Sequence, residues 1–120
     1  MASDIRQHAG DRSRGQCAQA VRQSIENVLG IRLERTQFAR NYGPRLEAAG
    51  LRAITNGTPL RPGDVRIIQP TVGHPAGHMQ MYTENGWVSD FRQRDEWPGS
   101  AYRQNQPSYT TYRYEDINEE

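Results

Sequence analysis

The sequence predicts an α+β protein in which N-terminal helices pack on a C-terminal antiparallel β-sheet. In the first half, apolar residues recur at the three-and-four spacing of a helix, whereas the second half alternates polar and apolar residues between Gly- and Pro-rich turns. A chain of 120 residues, 34% of them hydrophobic, suffices for one modest core. We therefore predict a loose arm over residues 1–12 and a single domain over residues 13–120.

Two helical regions are predicted in the first half. Ser13 is a suitable N-cap for a helix over 13–29, and Cys17 falls in its first turn. The core-facing stripe of this helix consists of Ala18, Val21, Ile25 and Val28. A second helical region covers 36–49. Pro44 interrupts it, because proline lacks an amide donor and clashes with the preceding turn. We therefore expect a short helix, a break at Gly43, and a new helix that starts near Pro44 and ends at Gly50.

The second half predicts a sheet. The expected strands are 51–54, 65–69, 78–83, 87–91 and 109–114. Asp64 is expected to set the turn before the second strand, and residues 92–108 are expected to form a loop that contains Pro and Gly. Four tyrosines should serve in packing of the sheet, namely Tyr82, Tyr109, Tyr112 and Tyr114.

The hairpin around Asn85-Gly86 allows two loop lengths. A two-residue loop, Asn85-Gly86, pairs Glu84 with Trp87 and mixes polar and apolar side chains on both faces of the hairpin. A three-residue loop over 84–86 instead pairs Thr83 with Trp87 and segregates the two kinds of side chain. We therefore expect the three-residue loop. Its apolar face would hold Met79, Met81, Trp87 and Phe91.

The chemistry-bearing candidates are a thiol, an imidazole and a carboxylate. Cys17 at a helix start gains nucleophilicity from the partial positive charge there, and His78 on the sheet is its candidate base. The three-residue loop places Asp90 opposite Gln80 and diagonal to His78, in position to orient the imidazole. The backbone N–H of Cys17 would donate to the oxyanion. Further candidates for oxyanion or substrate contacts are Gln16, Gly77 and Gln80.

Each of these residues also has a purely structural interpretation. A lone cysteine is commonly a buried hydrophobe. His74 is an alternative to His78 as the base, and either Gln80 or Asp95 is an alternative third residue. We expect no metal and no other cofactor, because His74 and His78 have no third ligand at a suitable spacing.

Three short motifs resemble the CHAP domains and the NlpC-type cell-wall peptidases. Gly15-Gln16-Cys17 at a helix start resembles the CHAP cysteine motif, and Gly77-His78 before alternating residues resembles the histidine motif. Pro62-Gly63-Asp64-Val65 is similar to the step before the histidine strand in both groups. NlpC-type enzymes have a third residue about a dozen positions beyond the histidine, where this chain has Asp90. There are departures: NlpC-type enzymes usually have Asp where this chain has Gln16, and His as the third residue.

The resemblance implies a papain-like cysteine hydrolase domain that cleaves amide bonds in peptidoglycan, with the stem peptide as its substrate. Small members are similar to the amidase effectors that bacteria inject into rivals, and such a toxin implies a cognate immunity protein. A phage lysin, a deamidase or transglutaminase-like toxin acting on protein, and a non-catalytic binding module on the same fold are the alternatives.

Composition excludes several other classes of protein. A net charge of +1 is far from the strongly basic balance of nucleic-acid binders. No apolar run is long enough to enter a membrane, and residues 1–14 show no secretory signal peptide. We expect synthesis in the bacterial cytoplasm, and action in the periplasm or cell wall after delivery by a specialised secretion system.

Overall fold

The computed structural model of the chain describes residues 17–29, 33, 38–89 and 92–114, and gives only the backbone at 17, 18, 28 and 29. The helices are α1 (Cys17–Leu29), a 3₁₀ helix (Ala39–Asn41), α2 (Gly43–Ala48) and α3 (Ser100–Asn105). The strands are β1 (Leu51–Ile54), β2 (Val65–Ile68), β3 (His78–Thr83), β4 (Gly86–Val88) and β5 (Tyr109–Tyr114). The predicted α+β class is confirmed.

The five strands form one antiparallel sheet in the order β1-β5-β2-β3-β4. The last strand of the chain therefore lies between the first and second strands, and β3 lies between β2 and β4. Four predicted strands are found, with β2 ending one residue earlier than expected, whereas the strand expected over 87–91 is Gly86–Val88 instead. The break before Pro44 is also found, since α2 begins at Gly43 with the proline in its first turn. The arm over residues 1–12 and the Ser13 cap lie outside the described residues.

Both faces of the sheet are covered. On one face, Val21 and Ile25 of α1 belong to the same buried cluster as Met79 and Met81 of β3. The opposite face carries a smaller cluster, made up of Ile68, Trp97, Tyr102 and Tyr109. Because neighbouring residues of a strand face opposite ways, β3 presents alternate side chains to the two layers.

The segment over residues 92–105 forms the second layer and includes α3, which the sequence analysis did not predict. A six-residue helix is too short to show a helical period, and it follows Pro98-Gly99, which indicated a loop. Arg103 of α3 donates two hydrogen bonds to the Asp95 carboxylate, at 3.0 and 3.2 Å. These bonds lower the pKa of Asp95 below its ordinary value, against an opposing effect of burial. The charged pair ties the start of the segment to its helix.

The expected register of the β3–β4 hairpin is wrong. Thr83 pairs with Gly86 and Tyr82 with Trp87, so the loop is the two residues Glu84-Asn85. The Thr83 hydroxyl donates to the Gly86 carbonyl at 2.7 Å, which closes this tight turn. The expectation assumed one buried face, whereas Trp87 is buried on the second face beside Tyr82, with ring centroids 5.1 Å apart.

The observed register does not support a position of Asp90 opposite Gln80. β4 ends at Val88, which pairs with Met81, and Asp90 itself lies outside the described residues. Its proposed contact with His78 therefore stays a prediction.

Asp64 sets the turn before β2, as predicted. Its carboxylate accepts a hydrogen bond from the Arg61 amide at 2.9 Å. The guanidinium of Arg113 on β5 donates to both carboxylate oxygens, at 2.9 and 2.8 Å. Asp64 is 1% exposed, so Arg113 neutralises a buried charge and links the turn to the centre of the sheet.

The loop before β3 is held close to its surroundings at Gly77. This glycine has φ +72°, and a Cβ atom there would lie 2.6 Å from the Ile68 carbonyl oxygen and 3.0 Å from the Arg40 Cβ. Arg40 also donates through its backbone N–H to the Ala76 carbonyl at 2.9 Å and through its guanidinium to the Pro75 carbonyl. Glycine is required here both for the backbone conformation and for the close approach.

We predict that Gly77→Ala destabilises the protein by about 2 kcal/mol more than Gly73→Ala, measured by urea unfolding. Both glycines have positive φ, but a Cβ at Gly73 would meet nothing within 4 Å. The comparison therefore isolates the steric clash from the backbone strain. Equal losses for the two variants would contradict the close approach at Gly77.

Arg113→Met should lower the free energy of unfolding by about 3 kcal/mol, because it leaves the Asp64 carboxylate buried without its cation. Arg52→Met is the matched control: Arg52 pairs with Arg113 across β1 and β5 but is exposed. We expect this control to change stability by less than about 1 kcal/mol in the same urea titration. Similar losses for both variants would assign the effect to net charge instead.

Candidate active site

Cys17 is the first described residue of α1, and the predicted helix start at Ser13 lies outside the described residues. Its backbone is described and its side chain is not. The helix packs through Val21 and Ile25 against the Met79 side of β3. The first N–H groups of a helix have no acceptor one turn earlier, so the helix start offers donors and partial positive charge to a reacting group.

His78 is the first residue of β3 and is 6% exposed. It pairs with Ile68 across the sheet, and its ring lies on the face that segment 92–105 covers. Met79 turns the other way, towards α1. His78 therefore stands at the end of β3 with its ring on the face opposite α1, and its approach to the Cys17 thiol stays a prediction.

The imidazole is held by a residue that the sequence analysis missed. Nε2 of His78 lies 2.8 Å from Oε1 of Gln93, in the loop that follows β4. Gln93 belongs to no periodic element and to no motif of the resemblance, so no local signal pointed to it. It lies three residues beyond Asp90, the position that was expected to orient the ring.

Gln93 is itself held by further hydrogen bonds. Its Nε2 donates to Oε1 of Gln80 at 2.9 Å and to the Asp95 carbonyl at 3.2 Å. Nε2 of Gln80 donates to the Glu96 carbonyl at 2.9 Å. We call these two side-chain amides, with the His78 ring and the two carbonyls, the amide chain.

Tyr102 of α3 packs beside both histidines of this region. Its ring centroid lies 5.0 Å from that of His74 and 6.0 Å from that of His78. Tyr102 is buried, whereas His74 is exposed in the loop before β3. The two histidines thus differ sharply: only His78 is both buried and hydrogen-bonded to the amide chain.

The other predicted site residues take varied positions. Gln80 is fully buried and its amide is engaged at both ends, which fits a role behind His78 and not a substrate contact. Asp95 meets Gln93 through its carbonyl, while its carboxylate is paired with Arg103. Gly77 brings the loop close to β2, and Gln16 lies outside the described residues.

Within the described residues, no cluster of three or more His, Cys, Asp and Glu side chains is suited to a metal ion. The helices in that part of the chain are all too short or too polar to cross a bilayer.

Comparison with solved structures gives two close matches. The crystal structure of the type VI native effector–immunity complex Tae3–Tai3 from Ralstonia pickettii matches with 44% identity and a TM-score of 0.89, covering 95% of this chain and 95% of that chain. The selenomethionine form of that complex matches with 46% identity and a TM-score of 0.85, covering 92% and 96%. No protein-family model matches the chain, and neither does any curated protein.

Both matches extend over nearly the whole of both chains, at an identity well above the level at which fold alone is shared. The chain belongs to the Tae3 family of type VI effectors.

Proposed function

We propose that this chain is a cysteine hydrolase that cleaves amide bonds of bacterial peptidoglycan, and that it acts as an antibacterial effector of a type VI secretion system. The observation that carries the proposal is the hydrogen bond between the buried imidazole of His78 and Gln93, in a chain whose helix α1 begins at its lone cysteine. Membership of the Tae3 family supports the role as an effector.

In the proposed mechanism, His78 removes the proton of the Cys17 thiol through Nδ1, the ring nitrogen that does not face Gln93. The thiolate attacks the amide carbonyl carbon, and the carbonyl π electrons move to oxygen. The Cys17 N–H at the start of α1 donates to this oxyanion. As the tetrahedral adduct collapses, the imidazolium protonates the leaving amine. A water molecule, deprotonated by His78, then hydrolyses the thioester and restores the thiol.

Gln93 is the proposed orienting residue. A papain-like site needs a group that holds the imidazole with one nitrogen towards the thiol, and an amide oxygen that accepts from Nε2–H does this. Asp90 remains the second candidate for this role, on the resemblance to NlpC-type enzymes. Asp90 and Gln93 both follow β4 in the sequence. Only a direct test of each residue can therefore tell which one orients His78.

The proposed partners follow from the same family. Both matched structures are complexes of an effector with an immunity protein. We propose that a cognate immunity protein binds this chain and blocks its active site, which would protect the producing cell. The peptidoglycan stem peptide is the proposed substrate, and the periplasm of the target cell is the proposed place of action.

Cys17→Ala should lower the release of soluble fragments from purified sacculi by about 10⁴-fold or more, because no other thiol can attack the carbonyl. The measurement is chromatography of muropeptides after digestion. Gln19→Ala, an exposed change in the first turn of the same helix, is the control and should digest like the wild type. Equal digestion by the wild type and Cys17→Ala would reject the mechanism.

Two outcomes would instead favour the alternatives. Intact sacculi together with a gain of about 1 Da in target-cell proteins would indicate a protein deamidase. Intact sacculi and a thiol that resists iodoacetamide well below pH ~8.5, the reference pKa of cysteine, would indicate a binding module.

Gln93→Leu should lower kcat by about 10²-fold while leaving KM nearly unchanged, because the substitution removes the acceptor that orients His78 without touching the substrate. Asp90→Asn is the paired variant and should stay within about threefold of the wild type. The measurement is steady-state hydrolysis of a purified muropeptide. The reverse order of effects would make Asp90 the orienting residue.

A further inference from the structure

The donor and acceptor roles along the amide chain are determined by its far end. The Asp95 and Glu96 carbonyls are backbone groups, and a backbone carbonyl can only accept. Gln80 must therefore turn its NH₂ group to the Glu96 carbonyl, at 2.9 Å, which leaves its oxygen facing Gln93. Gln93 must in turn direct its NH₂ group to Gln80 and its oxygen to His78, at 2.8 Å.

Every other arrangement of the chain brings two acceptors together. Rotating the Gln93 amide by half a turn sets its oxygen against the Gln80 oxygen and the Asp95 carbonyl, so two hydrogen bonds become two repulsive contacts. Rotating Gln80 as well relieves the contact between the two amides, but it sets the Gln80 oxygen against the Glu96 carbonyl and leaves the Gln93 oxygen against the Asp95 carbonyl. Gln80 is fully buried, so water cannot relieve the repulsion between these acceptor oxygens.

We propose that Gln80 is a positioning residue that determines the tautomer of His78 through Gln93. The chain requires the Nε2 atom of His78 to donate, which keeps the proton on Nε2 and the lone pair on Nδ1. The inference rests on the proposed function, in which Nδ1 is the base, and it extends that function to a residue that touches neither the substrate nor the imidazole.

Hydrogen bonds within segment 92–105 also support the Asp95 and Glu96 carbonyls. The Asp95 carboxylate accepts from the Trp97 amide at 2.8 Å and from the Arg103 guanidinium. Arg103 donates in addition to the Trp97 carbonyl at 3.2 Å. These bonds hold the backbone that carries the two carbonyls, and the two carbonyls determine the order of donors and acceptors along the amide chain.

The test compares Gln80→Leu with Gln80→Glu. Both variants remove the amide NH₂ that faces Glu96. The carboxyl group introduced by Gln80→Glu still offers an oxygen to Gln93, and burial favours its neutral form, whose hydroxyl can donate to the carbonyl. The tautomer of His78 is measured directly by two-bond ¹⁵N–¹H NMR on the folded protein with ¹⁵N-labelled histidine and without substrate. Exposed Gln104→Leu is the control for the same change of side chain.

We expect the Nε2–H tautomer in the wild type, Gln80→Glu and Gln104→Leu, and a mixture of both tautomers in Gln80→Leu. In Gln80→Leu, kcat for muropeptide hydrolysis should fall about fivefold to tenfold, as expected for the loss of one neutral hydrogen bond behind the base. An Nδ1–H tautomer in the wild type would overturn the proposal, and so would a pure Nε2–H tautomer in Gln80→Leu. Identical mixtures in both Gln80 variants would also overturn it, because they would indicate a merely structural role.

The tautomer measurement needs no activity, so it stands even if Cys17→Ala digests sacculi normally and the proposed function fails. Should Gln80→Leu not fold, an Nδ1–H tautomer in the wild type or in Gln80→Glu would still overturn the proposal, since both proteins must carry the proton on Nε2.

Discussion

Burial of β3 on both faces is the constraint from which the site follows. One face of the strand lies against α1 through Met79 and Met81, while the other carries His78 and Gln80 under segment 92–105. A polar side chain in a covered layer must find hydrogen-bond partners there, because water cannot supply them. The loop after β4 meets this demand with one side-chain amide and two backbone carbonyls. The hydrogen bonds that satisfy these buried polar groups therefore also orient the imidazole.

A neutral amide next to the imidazole has a specific chemical consequence. A carboxylate in that position would favour the imidazolium by charge attraction, whereas an amide oxygen orients the ring without adding a charge. Gln93 is half-buried and depends for its own direction on Gln80 and the backbone of Asp95. The orientation of the imidazole thus depends on a connected set of groups. The family resemblance led to Glu, Asp, Asn or His as a single third residue and did not indicate such a set.

The rigidity of the surroundings supports such an arrangement. The loop before β3 is tied to the 3₁₀ helix by Arg40 and by the close approach at Gly77. Segment 92–105 is tied to itself by Asp95 and Arg103, and it packs on the sheet through Trp97. Both the loop before β3 and segment 92–105 are therefore fixed by contacts of their own, which is the preorganisation that the proposed mechanism requires.

Local pattern alone determined much of the molecule: the α+β class, helix α1 as far as its end at Leu29, four of the five strands, and His78 as the first residue of its strand. These features depend on periodicity and turn chemistry within a few residues, which the sequence displays directly. The tertiary structure decided the rest. The β3–β4 register depended on a second buried face that no single segment reveals. The partnership of His78 with Gln93, 15 residues away, depended on that same face, because side chains far apart in sequence meet there only once the layer has formed.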